Sequence, residues 1–232
     1  SALNSEREFA ANAAHELRTP LAVASVQLQR LQQELGGDAD RRERLSTVSL
    51  SLQRLTRLVD KLLQLARAES AGLYSGTPTP IDRVAQMVAR ELDPSGQRIE
   101  LLVSGAPNLQ LDPDALAVIL SNLLENGLKY APSESPVILR ADKDAQVHVE
   151  NLAPNLDAES LQTLQQRFVR GSERNKPGAG LGLAIVSAFC QQLDIKLSLG
   201  LVGTGRGQRL QVSLDFSAVT LATEPALPSP KS

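Results

Sequence analysis

The strongest constraint on this chain is a pair of apolar stripes in its first third. Leu17, Leu21, Ala24, Leu28, Leu31 and Leu35 follow one another at steps of 4, 3, 4, 3 and 4. Leu45, Val48, Leu52, Leu55, Val59, Leu62 and Leu65 again recur at steps of 3 and 4. An α-helix returns to one face at that spacing, so each run marks one side of a long helix. Gly36-Gly37-Asp38 separates the runs and breaks the helix, which gives an αα-hairpin. Two helices cannot hide both stripes from water. Four can, so the pattern predicts that the hairpin dimerises into a four-helix bundle crossing at about 20°. The alternative is a hairpin that packs on the rest of its own chain.

His15 precedes Leu17 by two residues. At about 100° per residue that is roughly 200° around the helix, so burying the leucines turns the imidazole toward water. Glu16 is its neighbour, Thr19 lies one turn on, and Pro20 follows. Proline lacks an N–H and crowds the preceding turn, so a kink is expected beside the histidine. Taken alone, an exposed histidine on an amphipathic helix is a surface residue; the remainder of the chain decides otherwise.

Composition excludes several classes. Net charge is −2, with 24 basic and 26 acidic side chains intermixed, which provides no field for nucleic acid or an anionic membrane. Aromatic residues make up 3% and tryptophan is absent, so base-stacking platforms are not expected. The single cysteine, Cys190, rules out an internal disulfide and reads as a small core residue of an apolar helix. No apolar run reaches about 18 residues, the length a spanning helix needs. The chain opens on Ser1 without Met, and reads as a soluble piece of something longer.

Residues 71–80, rich in Gly, Ser, Thr and Pro, read as a linker. Beyond it the pattern predicts a helix over 81–92, strands at 99–103 and 109–111, and a helix opened by Asp112-Pro113-Asp114. A β-hairpin follows at 137–141 and 146–150, then a short helix at 157–167 and a helix over 180–193. A last hairpin spans 195–201 and 208–216, and residues 218–232 read as a disordered tail. This order predicts an α/β sandwich, a mixed sheet covered by helices, behind the helical hairpin; the whole chain is then of α+β class.

Two further clusters carry chemistry. Asn122, Asn126 and Lys129 fall four and three residues apart, on one helix face opposite the leucines, with Tyr130 next. Two amide oxygens and an ammonium suit a hydrated Mg²⁺ and the phosphates it bridges; Asn126 and Asn122 are the candidate metal ligands. The alternative is the polar outer face of an ordinary helix. Downstream, Arg170 precedes a polar loop that ends in Gly178, Gly180, Leu181 and Gly182 at a helix start. Glycines there let backbone N–H groups approach phosphate, and Arg170 can clamp it. A dinucleotide-binding fold does not fit, because no strand precedes these glycines and the third is misplaced for GxGxxG.

His15-Glu16-Leu17-Arg18-Thr19-Pro20 resembles the phospho-acceptor box of bacterial two-component sensor histidine kinases. The run SNLLENGLKYAP resembles the N-box of their ATP-binding domain, which is shared with gyrase, heat-shock-90 and mismatch-repair ATPases. The segments around Arg170 and Gly178 to Gly182 resemble the F-box and G2-box that flank a mobile ATP lid. The three stand in the family's order and cover nearly the whole chain. The resemblance implies a dimerisation and phosphotransfer domain at 1–70, a linker at 71–80, a Bergerat-type catalytic domain at 81–217 and a tail at 218–232. It implies ATP and Mg²⁺ as cofactors, a homodimer, and a response-regulator receiver domain as partner. It also implies a cytoplasmic portion of an inner-membrane sensor, whose membrane segment would lie upstream.

By that resemblance the γ-phosphoryl group of ATP passes to a ring nitrogen of His15 and then to an Asp of the receiver. An ordinary imidazole titrates near about 6.5, so it is largely neutral at pH 7 and has a lone pair to attack with. Glu16 would fix its tautomer, and Thr19 would orient water if the protein also dephosphorylates its partner. The hydrolases carry a Glu at the position of Asn122; an amide cannot act as a base, which implies transfer rather than hydrolysis. One segment departs from the family. Asn151 stands where an Asp usually accepts a hydrogen bond from the adenine amino group, and Ala153 and Asn155 stand where glycines are usual. Weaker or altered nucleotide affinity is therefore expected. That departure motivates the alternative of a degenerate kinase, acting as a receiver-docking phosphatase.

Overall fold

The computed structural model describes residues 20–31, 39–68, 73–75, 77–170 and 181–220; at 39–42, 44, 54 and 165–170 only the backbone is described. The expectations placed on His15, Glu16, Thr19, Gly178, Gly180, the Gly36-Gly37-Asp38 turn, the side chain of Arg170 and residues 221–232 lie outside the described residues.

The predicted helical pair is present. Helix α1 covers residues 20–31 and α2 covers Ala39–Ala68. Leu21 of α1 and Val59 of α2 are buried against each other, with Leu52 and Leu63 packed alongside. A second line on α2 stays uncovered: Val48, Leu55 and Leu62, seven residues apart, are 52%, 49% and 55% exposed. The hairpin therefore hides one stripe and leaves another open, as the heptad spacing requires of a single copy.

The second domain opens with β1 (Thr79–Pro80) and α3 (Ile81–Leu92), then β2 (Ile99–Val103), β3 (Asn108–Leu109) and α4 (Pro113–Tyr130). It continues through β4 (Val137–Ala141), β5 (Gln146–Leu152), α5 (Ala158–Arg170), α6 (Leu181–Gln192), β6 (Lys196–Val202) and β7 (Arg209–Asp215). Five strands form one mixed sheet in the order β2-β4-β5-β7-β6; β2 and β4 run parallel and the other pairs antiparallel. Alternation along the strands puts Leu101, Leu139, Val149, Val212 and Leu199 in one row across the sheet. That row belongs to the core closed by α3, α4 and α6. The opposite face carries Arg140, His148 and Ser213, with His148 Nδ1 2.8 Å from Ser213 Oγ.

Helix α4 starts where its sequence directs. The Asp112 side chain accepts a 3.0 Å hydrogen bond from Ala115 N, Pro113 occupies the first turn, and Leu116, Ile119, Leu120, Leu123 and Leu124 are buried. A Cβ on Gly127 would stand 2.7 Å from Val137 Cγ1, so this glycine lets α4 press onto β4.

Two boundaries differ from expectation. The stretch read as a linker is partly packed: Leu73 and Thr79 are buried, Leu73 O accepts from Asp112 N, and Thr79 Oγ1 donates to Leu111 O at 2.6 Å. Its composition resembles that of a solvated connector, but one leucine and one β-paired threonine suffice to anchor it. The first residues of the stretch read as a tail, 218–220, belong to the fold instead. Ser217–Val219 form a 3-10 turn, Val219 is buried, and Thr220 bridges to Leu109.

Candidate functional site

The site lies where α4, α6 and the underlying β5 converge, since α4 packs on both of the others. Asn122 is not on an outer polar face; it is 1% exposed. Its Nδ2 donates to Val118 O at 2.7 Å and to Gln64 Oε1 of α2 at 3.1 Å. Its Oδ1 accepts from Lys61 Nζ of α2 at 2.6 Å. Asn126 follows one turn later. Among the described residues, its Nδ2 is the only buried side-chain polar atom without a hydrogen-bond partner. An orphaned donor of this kind is rare in folded proteins and marks a place where a ligand can complete the bonding.

Gly182, in the first turn of α6, faces both asparagines. A Cβ there would stand 3.0 Å from Asn122 Oδ1 and 3.3 Å from Asn126 Nδ2. The N–H groups of a helix's first turn and the positive end of its dipole suit an anion. Leu181, predicted beside it, opens the helix. Lys129 and Tyr130 lie at the exposed end of α4, the ammonium 4.9 Å from the ring centroid. Asn151 lies on β5 in alternation with Val147 and Val149, which puts it on the helix-covered face, and it is buried.

The departing segment is not strained. Neither Ala153 nor Asn155 has positive φ; among the described non-glycine residues only Ala145 and Asp194 do. Gln208 holds the turn instead: its Nε2 donates to Ala153 O at 3.0 Å and to Leu156 O at 2.6 Å. Asn151 Nδ2 donates to Leu152 O at 3.2 Å, which gives that donor a partner and leaves the amide oxygen as acceptor.

The donor set fits a hydrated Mg²⁺ with phosphates. Asn126 can offer one hard oxygen to the cation or its waters, Asn122 can do so once Lys61 leaves its Oδ1, and the unpaired Asn126 Nδ2 can donate to a phosphate oxygen. Cys190 takes no part: burial pushes its thiol up to about 12, so it stays protonated in the core. Lys61, Gln64 and Glu125 complete the surroundings of Asn122, with Lys61 Nζ 2.8 Å from Glu125 Oε2. Sequence patterning assigned no role to these three. Lys61 and Gln64 fall between the stripe positions of α2, 61 and 58 residues from Asn122, and no local motif links them to α4.

Residues 5–71 match the family described as "His Kinase A (phospho-acceptor) domain". Residues 111–218 match "Histidine kinase-, DNA gyrase B-, and HSP90-like ATPase". The chain is 30% identical over 201 residues to Sensor protein QseC of Escherichia coli O157:H7, covering 84% of this chain and 44% of that protein. It is 34% identical over 200 residues to Sensor protein BasS of Escherichia coli K12, covering 82% of this chain and 53% of that protein. It thus spans about half the length of the curated relatives it matches. Its structure is similar to that of full-length ShkA in complex with AMPPNP, with a TM-score of 0.65, 27% identity, and coverage of 93% of this chain and 47% of that one. Among the described residues no helix is long and apolar enough to cross a membrane.

Proposed function

This chain belongs to the two-component sensor histidine kinases, whose phospho-acceptor and ATP-binding domains it carries in sequence, and we propose that it phosphorylates its own His15 from ATP and passes the group to an Asp of a response-regulator receiver domain. The observation that carries this reading is the meeting of Asn122, Asn126 and Gly182, with one asparagine donor left for a ligand to satisfy.

In this reaction the neutral His15 nitrogen gives its lone pair to the γ-phosphorus, a P–N bond forms, the bond to the β–γ bridging oxygen breaks, and ADP leaves. Glu16 accepts a hydrogen bond from the other ring nitrogen and holds the tautomer. Asn126 and Asn122 would hold Mg²⁺, which supplies neutralisation of the triphosphate charge. Lys129 and Arg170 add positive charge around the transferring group, and Gly178, Gly180, Leu181 and Gly182 offer backbone donors. Asn151 Oδ1 accepts from the adenine amino group. Thr19 positions water when the same protein dephosphorylates its receiver. The open line of Val48, Leu55 and Leu62 supports a homodimer joined through the helical hairpin, since such a stripe is covered when two hairpins pair. A cytoplasmic portion of a membrane sensor is what the sequence resemblance implies for its location.

The test is incubation with γ-labelled ATP and Mg²⁺, followed by assay for acid-labile, alkali-stable label. The native chain takes up label and His15→Gln does not. A His15→Gln protein that still labels ends the assignment. A native chain without label at millimolar ATP that still dephosphorylates a receiver establishes the phosphatase reading motivated by Asn151.

A further inference from the structure

Helix α2 reaches across and occupies the asparagine face of α4. Lys61 Nζ donates to Asn122 Oδ1 at 2.6 Å and to Glu125 Oε2 at 2.8 Å, and Gln64 Oε1 takes one amide hydrogen of Asn122 at 3.1 Å. The second amide hydrogen goes to Val118 O at 2.7 Å. Six residues beyond Lys61, Arg67 pairs with Asp114 at 3.1 Å, so α2 and α4 run antiparallel in this contact. Helix α2 also packs against α6, the other wall of the site. The two asparagines therefore differ: Asn122 has both its donors and its oxygen engaged, while Asn126 keeps an orphaned donor. An ammonium has three donors and a full positive charge, and it sits on the oxygens a hydrated divalent cation would use.

We propose that Lys61 makes α2 a competitive clamp on the nucleotide site, so that this Lys61-mediated docking of α2 on α4 and binding of Mg²⁺-nucleotide exclude one another. This rests on the reading of the Asn122–Asn126–Gly182 cluster as that site. Binding of nucleotide then requires the Lys61 contacts to break, and the stem is released as the site fills. The side chain is 21% exposed while clamped, against 45% for Glu125, so its release is measurable by chemistry. Where a competent state is only fractionally populated, apparent affinity falls by that fraction; a stem docked about nine-tenths of the time weakens binding about tenfold.

The experiment uses AMPPNP, a non-hydrolysable ATP analogue, with Mg²⁺. Lys61→Met keeps the aliphatic stem and removes the charge; it is expected to tighten the dissociation constant about five- to tenfold by calorimetry. On the native chain, an amine-reactive ester read by peptide mass spectrometry is expected to label Lys61 faster once Mg²⁺-AMPPNP is added. Unchanged affinity in Lys61→Met overturns the clamp while leaving the nucleotide site intact. Weaker affinity, with Lys61 protected by nucleotide, overturns it in favour of a phosphate-binding lysine. Absence of binding in both proteins overturns the nucleotide reading and the clamp with it. The labelling measurement needs no variant, so a poorly folded Lys61→Met does not shelter the proposal.

Discussion

Gly182 and Asn122 meet so closely that a single added carbon would stand 3.0 Å from the amide oxygen. The same carbon would come within 3.3 Å of Asn126 Nδ2, so the glycine is required by the space between two helices and not by its backbone angle. Gly182→Ala forces both asparagines to give by a few tenths of an ångström. Overpacking of this sort costs about 1–3 kcal/mol of stability, and the methyl also fills the cradle between α4 and α6. The expected result is a protein that still unfolds cooperatively, with nucleotide affinity reduced about tenfold, equivalent to about 1.4 kcal/mol. Titration with a fluorescent nucleotide beside thermal unfolding checks it; native affinity in Gly182→Ala would contradict the site.

The two asparagines should respond differently to truncation. Asn122→Ala leaves Lys61 with Glu125 alone, takes from Gln64 Oε1 its donor, and removes three hydrogen bonds in a buried setting. Leaving such partners unmade costs about 1–3 kcal/mol, so Asn122→Ala lowers the urea midpoint. Asn126→Ala removes a donor that has no partner to lose, and its stability stays within about 0.5 kcal/mol of native. Its affinity for Mg²⁺-nucleotide nevertheless falls about tenfold or more, because a charge-assisted bond is worth about 1.5–3 kcal/mol. Paired urea titrations and nucleotide titrations separate the effects. Equal destabilisation by the two variants would show that Asn126 is structural.

Asn151→Asp tests the segment that departs from the family. The native amide offers adenine a neutral acceptor, with its own Nδ2 tied to Leu152 O at 3.2 Å. A carboxylate acceptor is worth about 1 kcal/mol more, so ATP is expected to bind about fivefold tighter. Without ligand the variant loses the bond to Leu152 O and places a charge at a buried position, so its melting temperature falls. Tighter binding alongside lower intrinsic stability is the predicted pair of results. Unchanged affinity would remove Asn151 from the adenine contact.

Much of this arrangement could be read from the chain because it is written in local patterns. The spacing that predicted a helix over 81–92 and a strand over 99–103 is realised as Ile81–Leu92 and Ile99–Val103, since each segment has one clear period and a firm stop. Asp112 capping α4 follows from the same kind of short-range chemistry. Asn122 and Asn126 were identifiable by their spacing, but the burial of Asn122 was not, because it is caused by α2 and α6 arriving from elsewhere. Lys61 was invisible for that reason. Its partners lie 61 and 64 residues away in sequence. Leu73 and Thr79 were misjudged because composition averages over a stretch, whereas anchoring depends on single side chains finding a core.

Asp93 gives the fold a defined acid sensitivity. At the end of α3 its carboxylate accepts from Ser95 Oγ at 2.7 Å, Arg98 N at 2.6 Å and Ile99 N at 2.9 Å. The Ser95 hydroxyl bond and the backbone bonds hold its pKa down to about 2, from an ordinary value of 3.8. A depressed folded value means that this clasp contributes its full stability above the unfolded value and loses it as pH falls through the folded one. The window therefore runs from 3.8 down to about 2. Asp157 and Asp215 are lowered as well, chiefly by hydroxyl bonds from Ser160 and Ser217, so the native protein loses stability through several groups there. Asp93→Asn isolates one of them. Its amide oxygen can keep one acceptor role but cannot hold three donors with charge, so the variant is less stable than native at neutral pH. The gap in urea midpoint between the two proteins should be constant above 3.8 and narrow steadily toward pH 2, where the native carboxyl becomes protonated. A gap that stays the same across that window would show that the clasp does not depend on the charge of Asp93, and that the start of β2 is held by packing alone.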